Sequence, residues 1–311
     1  MLVQITLFGF LAYSPTLGPI TMLAPAKINL FLHVAAPDAN GYHPLQSLVA
    51  FADFGDEVEL FPVGSIGYAA DLNPRLSIDG PFAADLSTAD DNLVLRAATA
   101  FQTQTGITID QDIRLTKTLP VAAGLGGGSA DAGATLKLLR DAYVPATPDD
   151  VLETIAGALG ADGIMCLRAR PALAEGYGER LTDVHLPAVP CVLVNPGVAC
   201  ATPAVYKGFD DLAAFSHLQP IASHDIATID QLLTVLAGTR NDLEPAAIAL
   251  QPVIADVLTQ LRAQAETAFA RMSGSGATCF ALCRTPEEAR SLGGRVQAML
   301  PQAWVGIGRL G

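Results

Sequence analysis

The stretch from Leu119 to Tyr143, LPVAAGLGGGSADAGATLKLLRDAY, leaves the chain few ways to fold. Pro120 opens a turn, Gly124 follows, and Gly126-Gly127-Gly128-Ser129 runs straight into a helical pattern. Ala130, Ala134, Leu138 and Ala142 recur every fourth residue, and Leu136 and Leu139 widen the same apolar face. Upstream, Ile107–Lys117 alternates as a strand with Ile107, Ile109, Ile113 and Leu115 apolar, although Gln111 interrupts the series. The spacing therefore predicts strand, glycine loop and helix in direct succession. Glycines let backbone N–H groups converge without a Cβ in the way. The helix start adds unpaired N–H donors and the positive end of its dipole. Such a junction suits an anion, most commonly a phosphate. By itself it could equally be a tight turn or a packing device. It is not a Walker loop, because no Gly-Lys-Ser/Thr follows, and no βαβ unit with a suitably spaced acidic residue makes it a dinucleotide fingerprint.

The rest of the composition narrows the partners. The 311 residues suit one large or two ordinary domains, and 50% hydrophobic against 16% charged residues supplies ample core. The net charge of −13 argues against nucleic acid, whose phosphates need a basic face. An anionic small molecule would then be held by a few local donors. Cys166, Cys191, Cys200, Cys279 and Cys283 form no CxxC pair, which predicts reduced, mostly buried thiols in a cytoplasmic protein. The apolar start, Met1 to Ala12, lacks a basic flank and is too short to span a bilayer, and no other apolar run is long enough. Residues 1–22 are read as an extension of uncertain status; Met22 is an alternative start, favoured over a signal peptide. No membrane partner is expected.

In chain order, Lys27–Val34 alternates, with Ile28, Leu30, Leu32 and Val34 on one face and Lys27, Asn29, Phe31 and His33 on the other. That could present Lys27 and Asn29 to a cleft, but the pattern alone favours an edge strand with a solvated polar face. Asp38-Ala39-Asn40-Gly41 is a turn, followed by Tyr42-His43 and an apolar run Leu45–Phe54 closed by Gly55-Asp56. Asp56–Leu60 and Leu76–Asp79 read as further strands, and Asp90 or Asp91 as the cap of a helix opening at Leu93. Thr147-Pro148-Asp149-Asp150 reads as a capping box for a helix ending near Gly160. Asp162 then lies between a helix end and an apolar run. It is either a solvated turn residue or a part-buried carboxylate needing a cation.

A smaller second domain is expected beyond that point. Pro190–Asn195 is an apolar strand, Thr202-Pro203 a capped helix start, and Leu250, Val253, Ile254, Val257, Leu258, Leu261 and Ala265 share one face of a later helix. Arg271–Thr278 is a Ser/Gly turn into the strand Cys279–Cys283. Thr285-Pro286-Glu287-Glu288 caps the last helix, and Trp304–Ile307 is a final strand.

The order from Pro120 through Gly124-Leu125-Gly126-Gly127-Gly128-Ser129 to Ala132 resembles the phosphate loop of the GHMP kinase superfamily. That superfamily covers galactose, homoserine, mevalonate and related small-molecule kinases. Pro25–Val34 and Asn40–Leu48, with the Gly41-Tyr42-His43 element, resemble one branch. Its members phosphorylate a cytidine diphosphate conjugate of methylerythritol in non-mevalonate isoprenoid synthesis. Further resemblances lie at Ala174–Glu179, Thr202–Tyr206, Asn241–Pro245 and Arg271–Thr278, so the likeness covers roughly Leu23 to Leu310.

The resemblance implies an α+β, two-domain GHMP kinase fold. An N-terminal domain like ribosomal protein S5 domain 2 would occupy 23–178, and a ferredoxin-like domain 179–311. It implies ATP with Mg²⁺, no dedicated protein metal site, and a monomer or homodimer. Pro120, Ala122, Ala123, Gly124, Leu125, Gly126, Gly127, Gly128, Ser129 and Ala130 would cradle the ATP phosphates. Asp162, after Gly160-Ala161, stands where the family has its catalytic aspartate; Lys27 would pair with it and stabilise the attacking oxygen. Asn29 would lie near the reacting hydroxyl, Tyr42 and Tyr206 would sandwich the cytosine, and His43 would meet its polar edge. The loop Gly274, Ser275, Gly276 would approach the diphosphate. The chain departs from the family's Asp-Val-Pro-Phe with Asp162-Gly163-Ile164-Met165, which predicts a looser backbone beside Asp162. The rival readings are another small-molecule GHMP kinase and a nucleotide-binding relative without catalysis.

Overall fold

A computed structural model describes residues 20–62, 75–89, 91–213, 215, 217–218 and 226–311. The expectations for residues 1–19 and for Asp90 lie outside these. One strand organises the fold: β2, Leu45–Pro62. Along one edge it pairs antiparallel with β1, Ile20–Val34, which begins upstream of Met22. Along the other edge it meets three strands in succession. Leu45 to Val49 pair with β5 (Ala172–Gly176), Ala52 meets Leu310 of the C-terminal strand, and Glu57 to Pro62 pair with β4 (Gln111–Thr116). A short β3, Leu76–Asp79, runs parallel to β4, and β6, Arg180–Asp183, forms a hairpin with β5.

The expected separate strands Leu45–Phe54 and Asp56–Leu60 are thus one. Gly55 does not close the first, because β1 passes so near that a Cβ there would lie 2.0 Å from the Ala24 carbonyl oxygen. Glycine here serves close backbone approach inside a strand. The expected strand Ile107–Lys117 is shorter at its N-terminal end, starting at Gln111.

The helices α1 (Leu93–Thr105), α2 (Gly127–Tyr143), α3 (Asp149–Leu159) and α4 (Gly163–Arg168) cover this first sheet. They bury Phe101, Leu136, Leu138, Leu139, Leu152 and Ile155 against Val58, Leu60, Ile113 and Leu115. The cap of α1 is Asn92, whose side chain accepts from the Val94 N–H at 2.9 Å, rather than an aspartate. Pro148 takes the cap position of α3 and no side chain caps it, so the expected Thr147–Asp150 box does not form.

The C-terminal strands are β7 (Val189–Asn195), β8 (Phe269–Met272), β9 (Cys279–Leu282) and β10 (Trp304–Leu310), in the order β10-β7-β9-β8. Around them lie α5 (Thr202–Leu212), α6 (Ile229–Ala237), α7 (Glu244–Leu250), α8 (Val253–Arg262) and α9 (Pro286–Met299). The apolar face expected to run from Leu250 to Ala265 is broken at Gln251-Pro252. Ile254, Val257, Leu258 and Leu261 are buried on α8, while Leu250 ends α7 exposed and Ala265 lies beyond α8. Thr202 is the first residue of α5 rather than its cap, which is Ala201. The capping box at Thr285 and Glu288 forms as the sequence predicts. All five cysteines are buried and free. Among the described residues, no helix is long and apolar enough to cross a membrane.

Candidate active site

The site lies where the glycine loop, β1, α4 and the β8–β9 turn converge. Ala122, Gly124 and Gly126 all have left-handed φ (53°, 74° and 63°). Left-handed residues recurring in this way bend a chain into a concavity of N–H groups. Gly124 could not be larger for a second reason: a Cβ would sit 2.7 Å from the Ser273 carbonyl oxygen and 2.8 Å from that of Gly276. Gly126 caps α2 without a side-chain hydrogen bond, so the first-turn N–H groups remain available to an anion.

β1 holds this loop in place. The Lys27 N–H donates to the Leu125 carbonyl at 2.9 Å, and the Asn29 N–H donates to Ser273 Oγ at 3.1 Å. Ser273 Oγ in turn donates to the Gly124 carbonyl at 3.2 Å. The Asn29 amide donates to Ser47 Oγ at 2.7 Å, and Ser47 Oγ to the Phe31 carbonyl at 2.6 Å. These bonds sit at the register shift between Asn29 and Phe31 in the β1–β2 ladder. The face carrying Lys27 and Asn29 is therefore buried, not solvated as the alternation alone favours. Lys27 is only 5% exposed.

Lys27 Nζ lies 3.0 Å from Asn29 Oδ1 and 3.1 Å from Asp162 Oδ2. The Asp162 side chain is 36% exposed and lines a cavity of about 1700 Å³, shared with Lys27, Asn29 and the loop from Pro120 to Ser129. Its backbone is held tightly. Gly163, which follows it, is buried, and a Cβ there would lie 1.8 Å from the Ala156 carbonyl oxygen. The expected loosening by Gly163 is thus a close approach of α4 to α3 that only glycine permits.

The same cavity reaches Tyr42, His43, Tyr177, Tyr206, Lys207, Gly274 and Ser275. His43 Nδ1 is bonded to the Ala35 carbonyl at 2.8 Å and Nε2 lies 3.1 Å from Asp210 Oδ1. Its ring packs against Tyr206 at 5.3 Å between centroids. Burial, and then the charge of Asp162, push the Tyr206 phenol up to about 12, which keeps it a neutral donor. Tyr42 is 68% exposed. Two expected loop residues do not line the cavity. Ala130 is buried in the core beneath the first turn of α2, and Gly276 turns inward, with space for a Cβ closed by Met272 Sδ at 2.7 Å.

A second charged cluster lies behind the loop. Lys117 Nζ bridges Asp56 Oδ2 at 2.5 Å and Asp131 Oδ2 at 2.7 Å, all three buried. Asp56 Oδ1 also accepts the N–H groups of Thr118 and Leu119. Asn241 fastens the facing turn, its amide donating to the carbonyls of Met272 and Gly274 at 2.9 and 2.8 Å. Asn241 belongs to the Asn241–Pro245 resemblance, but the sequence reading does not single out the Lys117, Asp56 and Asp131 trio. The clue was Asp131, a charged residue among small and apolar ones on the α2 face that packs inward.

Residues 92–168 match the family profile described as GHMP kinases N terminal domain, and residues 215–302 match GHMP kinases C terminal. The 4-diphosphocytidyl-2-C-methyl-D-erythritol kinase of Caulobacter vibrioides is 48% identical over 293 residues, covering 92% of this chain and 97% of that protein. The protein of the same name from Parvibaculum lavamentivorans is 42% identical, covering 94% and 99%. A crystal structure of 4-(cytidine 5'-diphospho)-2C-methyl-D-erythritol kinase superposes with a TM-score of 0.75 at 33% identity, over 94% of this chain and 99% of that one. Homoserine kinase from Cytophaga hutchinsonii, at 20% identity and a TM-score of 0.65, shares the fold.

Proposed function

The chain belongs to the GHMP kinases, and from that premise we propose that it transfers the γ-phosphoryl group of ATP to the 2-hydroxyl of 4-diphosphocytidyl-2-C-methyl-D-erythritol. The products are the 2-phosphate and ADP. Its relatives of that name match it over nearly their whole length. The observation that carries the chemistry is the Lys27–Asp162 pair at the foot of a glycine loop opening on one cavity.

Phosphoryl transfer asks mainly for positioning and charge stabilisation. The N–H groups of Gly124–Ser129 and the start of α2 hold the nucleotide phosphates. The acceptor's 2-hydroxyl oxygen forms a bond to the γ-phosphorus while the bond to the β–γ bridging oxygen breaks and ADP departs. Asp162 takes the hydroxyl proton. Lys27, fixed by Asn29 and Asp162, neutralises charge on the attacking oxygen and on the phosphoryl group in flight. Among the described residues no three His, Cys, Asp or Glu side chains cluster as a metal cage. Mg²⁺ is held largely by phosphates and water, and Ser129 would offer it a hard oxygen donor in the cavity. The ion supplies counter-charge to the triphosphate.

At the far end of the cavity, His43 and Tyr206 receive the cytosine together with Tyr42, and Ser275 faces the diphosphate. We place the protein in the cytoplasm, as a monomer or homodimer, with its N-terminal domain over 23–178 and its C-terminal domain over 179–311. The test is ADP release from ATP and Mg²⁺ with the cytidyl compound, mevalonate or homoserine as acceptor. Turnover confined to the cytidyl compound supports the reading; turnover with either of the others instead overturns it.

A further inference from the structure

Two turns that are far apart in sequence meet at the rim of the cavity. The first is the turn after β1. The Asp38 N–H donates to the Tyr42 carbonyl at 2.9 Å, and Asp38 Oδ1 accepts the N–H groups of Asn40 at 2.8 Å and Tyr42 at 3.3 Å. One carboxylate oxygen therefore shapes the turn that presents Tyr42 and His43. The second is the β5–β6 turn. The Tyr177 N–H donates to Glu179 Oε2 at 2.6 Å, the Gly178 N–H donates to the Glu175 carbonyl at 3.1 Å, and the Glu175 side chain accepts from Gln46. The backbone carrying Tyr177 is thus anchored to the hairpin and to β2.

The Tyr177 side chain bridges the two turns. Its hydroxyl donates to Asp38 Oδ2, the oxygen the first turn leaves over. Its ring meets the Tyr42 ring edge-on, 5.9 Å between centroids and 61° between planes. Both tyrosines line the cavity, and both keep much of their surface open, Tyr42 at 68% and Tyr177 at 41%. An exposed aromatic pair at a cavity rim has no core to fill, and the ring surface it leaves open can meet a flat ligand. Apart from the tie, the 38–43 turn is held by its own local bonds and, at its His43 end, by the contacts of that ring with Asp210 and Tyr206.

We propose that Tyr177 is a positioning and specificity residue for the base-bearing end of the acceptor. Its hydroxyl, through Asp38, fixes the turn that carries Tyr42 and His43, and its ring extends the aromatic rim that the base meets. The inference rests on the acceptor assignment above, but the tie itself does not, and the two are tested separately.

The test compares Tyr177→Phe with the wild-type chain, first without ligand. Hydrogen exchange at the Asn40 and Tyr42 amides should quicken by about threefold to tenfold, the scale of one lost hydrogen bond. In an Asp38→Ala background, Tyr177→Phe should add nothing further, because the acceptor is gone. With substrates, the KM for the cytidyl acceptor should rise by a similar factor while the KM for ATP stays within about twofold. Tyr177→Ala should raise the acceptor KM further, since the ring is also lost. Unchanged exchange at both amides overturns the tie, and an equal rise in both KM values overturns the specificity role. A wild-type chain that does not use the cytidyl acceptor would sink the assignment of substrate, and the exchange comparison would still decide the tie.

Discussion

Lys27 and Asp162, 135 positions apart in the chain, meet at 3.1 Å between Nζ and Oδ2, with Asn29 Oδ1 also 3.0 Å from the ammonium. Three elements enforce this meeting. β1 carries Lys27 and hydrogen-bonds the glycine loop through its backbone. Gly126 lies against the lysine stem, since a Cβ there would fall 3.1 Å from Lys27 Cε. Asp162 caps α4, which packs on α2 and α3. The ammonium is buried and the carboxylate opens on the cavity. That is the arrangement wanted if one group is to stay fixed while the other exchanges a proton with a bound hydroxyl.

Asp162→Asn should keep the shape and the contact with Lys27 but remove the proton acceptor. We expect kcat to fall by about a hundredfold to ten-thousandfold, the range for losing a general base. Nucleotide affinity should change by less than about threefold, because the phosphate cradle is built from backbone N–H groups on another element. Steady-state ADP release and titration with a non-hydrolysable ATP analogue would check both. Near-normal turnover would remove Asp162 from its role.

The Gly163 substitution separates packing from chemistry. The sequence places Gly163-Ile164 after Asp162 where the family has a valine and a proline, and glycine by itself reads as slack. In the fold the residue is pressed against Ala156, so Gly163→Ala must part α3 from α4. Overpacking of this kind costs about 1–3 kcal/mol. Because Asp162 is the adjoining residue, kcat should drop with little change in the KM for ATP. Chemical denaturation together with steady-state kinetics would show it. A variant as stable and as active as the wild type would mean that α4 yields freely, and that the sequence reading of a loose backbone is right.

How much of this was legible follows from which forces act locally. The strand–glycine loop–helix unit was readable because periodicity and glycine placement are local. The Thr285–Glu288 capping box was readable for the same reason. The burial of Lys27 and Asn29 was not, because it depends on Ser47 from β2 and Ser273 from the C-terminal turn closing over β1. Gly55 reads as a strand end, and only the passage of β1 against it keeps β2 continuous. The Tyr177–Asp38 tie was hidden for the plainest reason: nothing in either turn names its partner.

The buried trio of Lys117, Asp56 and Asp131 makes stability depend on pH. Asp56 is compensated by Lys117 and by two backbone N–H groups, whereas Asp131 has Lys117 alone and its Oδ1 is buried without a partner. Burial pushes the Asp131 carboxyl from 3.8 up to about 7; Lys117 opposes the rise and Asp56 adds to it. A raised carboxyl means that the folded chain keeps a proton the unfolded chain has already released. The stability this contributes is complete below about pH 4 and is lost as pH rises through about 7. Asp131→Asn retains an oxygen for Lys117 and removes the titration. The wild-type melting temperature should therefore fall, relative to that of the variant, between about pH 4 and about pH 8. At the upper end the variant should be the more stable by about 2 °C or more, equivalent to ~1 kcal/mol in a chain of this size. Melting curves of both proteins across that range would test it. Parallel curves would mean that Asp131 is ionised throughout, with Lys117 holding both carboxylates as charged partners.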